Sequence, residues 1–221
     1  MSPLSSQKIL EVLSDPRLEI NEIQFSDEMI ERFHKFFTIF QKWNSKINLT
    51  SEKEAELILD KHVFDSLHYL RWIDPSHKIL DIGSGAGFPG IPIKIIHPEL
   101  KLALLESQRK RCNFLRELVR GLDFAGVNVL EGRAESFAGQ AELAGSFDRV
   151  LFRGFASLEQ CLSVGLPFLK EGGQIILMKS PGDLPEAGAE ALQGARMLKP
   201  QLVEKYDDNS SMMMIVEKCS T

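Results

Sequence analysis

The segment Ile79-Leu80-Asp81-Ile82-Gly83-Ser84-Gly85-Ala86-Gly87-Phe88-Pro89-Gly90 leaves this chain few folds to choose from. A short apolar run carries an acid, glycines crowd the turn that follows, and a second apolar, helix-like stretch comes next. That order describes a buried parallel strand passing into a tight turn where a nucleotide-containing cofactor touches bare backbone. From Lys78 onward, short apolar runs alternate with amphipathic segments. Strands are predicted over 78–83, 101–106, 127–131, 147–152 and 173–179, and helices over 90–97, 108–122 and 157–169. Such alternation implies right-handed crossovers and a parallel sheet covered on both faces. A further helix is predicted near 184–196, and the runs 202–206 and 212–218 around Asp207-Asp208-Asn209-Ser210 read as a terminal hairpin. The expected fold is α/β and Rossmann-like, with a seven-stranded, mostly parallel sheet closed by that antiparallel hairpin.

Ahead of this pattern, residues 1–72 read as an N-terminal helical extension to a domain at 73–221. Ile30, Phe33, Phe36, Phe37, Phe40 and Trp43 recur at helical spacing, with Ser26 in place as an N-cap. The stripe reads as core rather than as a stacking platform for bases. A second helix is predicted over 54–70, ended by Asp74-Pro75. At 43% hydrophobic, 221 residues suffice for one large core, yet no apolar run approaches the ~20 residues that span a bilayer. The start of the chain lacks the pattern of a signal peptide. Cys112, Cys161 and Cys219 are odd in number and lack Cys-x-x-Cys spacing, which argues against disulfide and zinc frameworks. A cytoplasmic, metal-free monomer is expected. The net charge of −5 does not advertise a nucleic-acid binder. Arg109, Lys110 and Arg111, with Arg116 and Arg120 beyond, nevertheless gather positive charge on one predicted helix. A solvated helix face and a phosphate-binding patch both fit that cluster.

The glycine loop admits two cofactors. Gly83, Gly85 and Gly87 form G-x-G-x-G, while Gly85, Gly87 and Gly90 form the dinucleotide pattern G-x-G-x-x-G. Glu106, at the end of the next strand, suits the ribose of either. Three features favour S-adenosylmethionine over a nicotinamide dinucleotide. Asp81 offers a carboxylate to a methionine-type amino end. Pro89 removes an N–H where a pyrophosphate would need one. The terminal hairpin matches a methyltransferase sheet. Among acceptors, no Asn/Asp-Pro-Pro-aromatic loop for exocyclic amines follows the fourth strand, and Cys161 lies mid-helix as packing rather than as a nucleophile. Guanine N7 fits a site without a base, because its lone pair attacks with no proton to lose.

Trp43-Asn44-Ser45-Lys46-Ile47-Asn48-Leu49-Thr50, His62-Val63-Phe64-Asp65-Ser66-Leu67 and the 83–92 loop closely resemble the bacterial ribosomal RNA small subunit methyltransferase G family. The family is also called glucose-inhibited division protein B. The likeness continues through Ser107-Gln108-Arg109-Lys110-Arg111, Gly132-Arg133-Ala134-Glu135 and Arg153-Gly154-Phe155-Ala156-Ser157-Leu158. It implies a class I methyltransferase that uses S-adenosylmethionine to methylate a guanine N7 in the decoding region of 16S rRNA in the small ribosomal subunit. It also implies that Gly83 and Phe88 contact the cofactor, that Glu106 holds the ribose, and that Ala134 and Glu135 frame the adenine. Arg153 stands at the family's cofactor-site arginine, with a second role near the acceptor. Family members usually place Ser-Arg-Ala where this chain has Phe152-Arg153-Gly154. His62 and Asp65 lie three apart on a helix, a spacing that suits a structural pairing as well as an RNA contact. Three rivals are a nicotinamide-dependent oxidoreductase, a ribosome assembly factor with a degenerate cofactor site, and a methyltransferase acting on another acceptor such as a small molecule or protein.

Overall fold

The computed structural model describes residues 4–20, 23–154, 157–180, 195–198, 200–206 and 209–219. The chain opens with helix α1 (Ser6–Leu13) and a 3-10 turn (Pro16–Leu18). Helix α2 (Asp27–Ile47) starts where the sequence places its cap: the Ser26 hydroxyl accepts from Met29 N at 3.3 Å. Asp27 and Glu28 in the first turn complement the positive helix end. The helix stops at Asn48, whose φ of 49° is left-handed. Ile30, Phe33, Phe36, Phe37 and Phe40 are buried as one stripe, and Trp43 sits half-buried at its end.

Beyond α2, the buried Asn44 organises the loop. Its Nδ2 donates to Glu52 O at 2.8 Å, and its Oδ1 accepts from Thr50 N at 3.0 Å. The predicted helix over 54–70 is broken in character rather than in path. It begins as α3 (Ala55–Ile58), widens to a π turn (Leu59–Val63), returns as α4 (Phe64–Leu67) and tightens to a 3-10 turn (His68–Trp72). Apolar periodicity does not reveal such a change of pitch, which often marks functional segments.

The sheet contains β1 (Lys78–Ile82), β2 (Lys101–Glu106), β3 (Val127–Glu131), β4 (Phe147–Arg153), β5 (Leu169–Lys179), β6 (Ala195–Met197), β7 (Gln201–Glu204) and β8 (Ser210–Lys218). Helices α5 (Gly90–Ile96), α6 (Arg109–Gly121) and α7 (Leu158–Gly165) connect the parallel strands. The strand order is β3-β2-β1-β4-β5-β8-β6, with β7 also paired to β8. β1 to β5 are parallel, and β8 runs antiparallel to β5, β6 and β7. The terminal hairpin predicted from the sequence is therefore present.

Three local expectations change. The described sheet has eight strands rather than seven, because Ala195–Met197 pairs with β8. Those residues overlap the end of the helix predicted near 184–196; residues 181–194 lie outside the described ones. The helix predicted over 157–169 ends at Gly165, since Pro167 in the following 3-10 turn cannot continue it. The fifth strand accordingly starts at Leu169.

Alternation along the strands splits the apolar residues between two faces. Leu80, Ile82, Ala103 and Leu105 pack towards Cys161 and Leu162 of α7. Ile79, Leu102, Leu104 and Leu151 share a core with α5, α6 and the aromatic stripe of α2. Phe40 lies 5.7 Å, centroid to centroid, from both Phe88 and Phe114. The N-terminal helices thus cover one face of the sheet and reach the glycine loop.

Candidate active site

The loop after β1 is built from backbone that only glycine adopts easily. Gly83, Gly85 and Gly87 have φ values of 76°, 52° and 87°. Gly83 N and Ser84 N both donate to Leu105 O, at 2.8 and 3.1 Å, which ties the loop to the end of β2. At Gly90 the constraint is space: a Cβ there would lie 2.7 Å from Asp81 Oδ2 and 2.8 Å from Leu104 Cδ2. This close approach seats the N-terminus of α5 directly on Asp81, whose Oδ2 accepts from Gly90 N at 3.0 Å.

Asp81 is fully buried, and its Oδ1 has no hydrogen-bond partner among the described residues. Burial pushes its carboxyl up to about 8. An orphaned acceptor of this kind is costly to keep unless a ligand donor meets it. Glu106, also buried, is placed by β2. Its Oε2 accepts from Gly85 N at 2.9 Å and its Oε1 from Gln108 N at 2.7 Å. A carboxylate offers about four acceptor positions. The remaining lone pairs of Glu106 can therefore take ribose hydroxyls.

A cavity of about 220 Å³ lies beside the carboxyl ends of β1 and β2, lined by Gly83, Glu106, Ser107, Ala134, Glu135 and Val164, among others. Four of the residues predicted to hold the cofactor, Gly83, Glu106, Ala134 and Glu135, thus come together in one place. A larger cavity of about 990 Å³ opens among Trp72, His77, His97 and Arg149. His77 precedes β1, so that cavity lies at the opposite strand ends from those where α/β sheets bind ligands. Among the described residues, no group of three or more His, Cys, Asp or Glu is placed to hold a metal ion.

Phe88 and Arg153 do not line the smaller cavity. The Phe88 ring is buried against Phe36 and Phe40 and stacks on His62. Arg153, at the end of β4, has its guanidinium carbon 5.7 Å from the centre of that ring. Its NH2 donates to Asp65 Oδ2 at 2.9 Å, to His62 Nδ1 at 3.1 Å and to Lys61 O at 3.3 Å. His62 and Asp65 therefore share Arg153 as their partner. Tyr69, which the sequence did not single out, donates its buried hydroxyl to Phe152 O at 2.6 Å and fixes the strand end beside Arg153. Thr50 and Glu52 were also missed; only an acid in a Leu-Thr-Ser-Glu loop could have drawn attention to them.

Arg109, Lys110 and Arg111 open helix α6 immediately after Glu106–Gln108. Arg109 and Lys110 are exposed and have no carboxylate partner among the described residues. Arg111 is half-buried; a Cβ at Gly85 would lie 3.7 Å from its NH1, so it overhangs the glycine loop.

The family model described as rRNA small subunit methyltransferase G matches residues 29–207. The chain belongs to that family. Relatives include the ribosomal RNA small subunit methyltransferase G of Lactococcus lactis subsp. lactis, 37% identical over 204 residues, covering 89% of this chain and 86% of that protein. The protein of the same name from Streptococcus pneumoniae serotype 19F is 37% identical over 192 residues, covering 86% of this chain and 79% of that one. Among solved structures, MtNAS in complex with MTA and tNA aligns at a TM-score of 0.57 and 16% identity, covering 100% of this chain and 92% of that one. M. jannaschii TYW2 in complex with AdoMet aligns at 0.54 and 17% identity, covering 71% and 74%. These two likenesses bear on the fold alone. Membership in the methyltransferase G family decides between the two readings of the glycine loop: the cofactor is S-adenosylmethionine, not a nicotinamide dinucleotide.

Proposed function

We propose that this protein methylates the N7 atom of a guanine in the decoding region of 16S rRNA, acting on the small ribosomal subunit in the cytoplasm. The family match over residues 29–207 carries the reading. The cavity at the ends of β1 and β2 supports it with groups of the right chemistry. S-adenosylmethionine supplies, when bound, a methyl group on a sulfonium that the N7 lone pair can attack directly. Glu106 holds the ribose hydroxyls, and the backbone around Ala134 and Glu135 frames the adenine. The unpartnered Oδ1 of Asp81 takes a proton donor from the amino end. Gly83 closes against the cofactor by its backbone, and Phe88 supports the loop from behind with its ring.

No base is required of the protein, because N7 carries no proton. The residues then work by alignment in a dry site. Arg109 and Lys110, with Arg111 between them and the loop, supply a basic face beside the cavity that offsets the overall acidity for phosphate contact. Every residue in this reading comes from one copy of the chain, so a monomer suffices. Incubating the protein with S-adenosylmethionine and small subunits from a strain deleted for its gene tests the reading. Borohydride–aniline cleavage should reveal one new N7-methylated position in 16S rRNA; no methyl transfer to subunits or to their naked RNA would refute it.

A further inference from the structure

We infer that Glu52 and His62 are positioning residues that hold one terminal nitrogen of Arg153 against the helical segment, so that its Nε and its other terminal nitrogen stay free to donate to the methyl acceptor. What these free donors bind rests on the function proposed above; the positioning itself does not.

The hydrogen-bond chemistry leaves one arrangement. A guanidinium only donates. His62 Nδ1, 3.1 Å from Arg153 NH2, must therefore present its lone pair. The ring proton then sits on Nε2, which lies 3.0 Å from both Glu52 Oε2 and Thr50 Oγ1. Glu52 is fit to receive it. The Thr50 hydroxyl, donating to Glu52 Oε2, holds that carboxyl well below the usual range, with His62 adding to the effect. The result is a directed chain in which Glu52 accepts from His62 and His62 accepts from Arg153. Asn44 fixes the loop that supplies Thr50 and Glu52, and the π turn carries His62.

Arg153 spends only NH2 on these partners. Its Nε and NH1 have no hydrogen-bond partner among the described residues. These two groups lie on different edges of the guanidinium, so each offers a single charge-assisted donor, suited to a phosphate oxygen or a purine carbonyl. Phe88 stacks on the other side of His62, so the same ring that orients Arg153 also rests on the glycine loop.

Protonation of His62 would place a proton on Nδ1, facing the guanidinium, and break the chain. The charged groups around the ring are Glu52 from the loop before α3, Lys61 on its own turn, Asp65 of α4 and Arg153 of β4. Burial and then the Arg153 charge hold the imidazole below its ordinary range, against the pull of Glu52 and Asp65. The neutral ring is thus the working form, and its protonation should appear as an acid limb in the rate.

The experiment has two independent arms. In the full-length protein labelled with ¹⁵N at its imidazoles, long-range proton–nitrogen spectra at about pH 8 should show His62 protonated at Nε2 and bare at Nδ1, the signal being assigned by its loss in His62→Asn. This arm needs no activity. In the second, methyl transfer to unmethylated small subunits should lose kcat/KM on the acid side in the wild type. His62→Asn, whose amide oxygen can still accept from Arg153, should remove that limb. His62→Ala and Glu52→Gln should raise KM for the subunit about tenfold, a typical cost for releasing a charged hydrogen-bonding group, while S-adenosylhomocysteine binds as before. A proton on Nδ1, an acid limb that survives in His62→Asn, or weakened S-adenosylhomocysteine binding in these variants would overturn the inference. A wild type that transfers no methyl group while showing the expected tautomer would count against the proposed function alone.

Discussion

His62 and Phe88 lie face to face, their ring centres 5.2 Å apart and their planes 23° from parallel. One ring comes from the helical segment and the other from the glycine loop. The contact joins the part of the chain that positions Arg153 to the part that holds the cofactor. The N-terminal helices therefore do more than shield the sheet.

That shielding is itself substantial. Phe40 is fully buried among Phe36, Phe88 and Phe114. Truncation with Phe40→Ala should cost about 3–5 kcal/mol by loss of burial and opening of a cavity. Urea unfolding would measure this, and a loss below about 1 kcal/mol would mean the aromatic stripe is not closely packed.

Asp81→Asn separates ligand binding from folding. Burial raises the Asp81 carboxyl from 3.8 to about 8, so its neutral form contributes stability that is complete below 3.8 and lost as pH rises through 8. The cofactor-free variant should therefore be at least as stable as the wild type near neutrality, with a flatter stability profile over that interval. Its affinity for S-adenosylhomocysteine should fall by about tenfold or more, because the amide weakens the acceptor offered to the ammonium. Calorimetry in buffers of different ionisation enthalpy should also show proton release when the wild type binds. Unchanged affinity would remove Asp81 from the site.

The behaviour of His68 runs in the opposite direction. Its Nε2 donates to Glu204 O at 2.9 Å, and burial pushes its pKa down from 6.5 to about 4. The neutral ring contributes stability that is present above 6.5 and lost as pH falls towards 4. Thermal melts should show Tm declining across that interval, and His68→Gln, which retains a donor for Glu204 O, should blunt the decline.

Gly90→Ala tests the geometry of the loop. The added methyl would meet a carboxylate oxygen and Leu104 inside van der Waals distance. The variant should lose S-adenosylhomocysteine binding before it loses its fold, a difference that calorimetry and circular dichroism would show together.

Replacing Arg109, Lys110 and Arg111 with glutamates should weaken binding to small-subunit RNA and reduce the slope of log K against log salt by about one unit for each phosphate no longer neutralised. An unchanged slope would move the RNA interface elsewhere.

Much of this was legible in the chain. The strands β1 to β4, the glycine turn, the Ser26 cap and the terminal hairpin each leave a local signature in apolar period, turn residues or caps. Glu106 could be placed beside the glycine loop because both follow strand ends of one sheet, whereas Gly83, Ala134 and Glu135 were assigned to the cofactor through the family resemblance. The π turn was hidden, since its apolar residues continue a helical rhythm. The partnership of Glu52, His62 and Arg153 was hidden too. Those residues lie far apart in the chain, and only the packing of the helices on the sheet brings them together. Phe88 shows the remaining gap: its place beside the glycines was visible, but not that its ring turns away from the cavity.

Strand β8 pairs with β5 on one edge and with β6 and β7 on the other. A nascent chain that has not yet released β8 leaves the β5 edge bare, and the hairpin that carries Glu204 cannot yet meet His68. Synthesis through β8 must precede completion of the sheet, so a ribosome stalled before β8 would carry an open, association-prone intermediate.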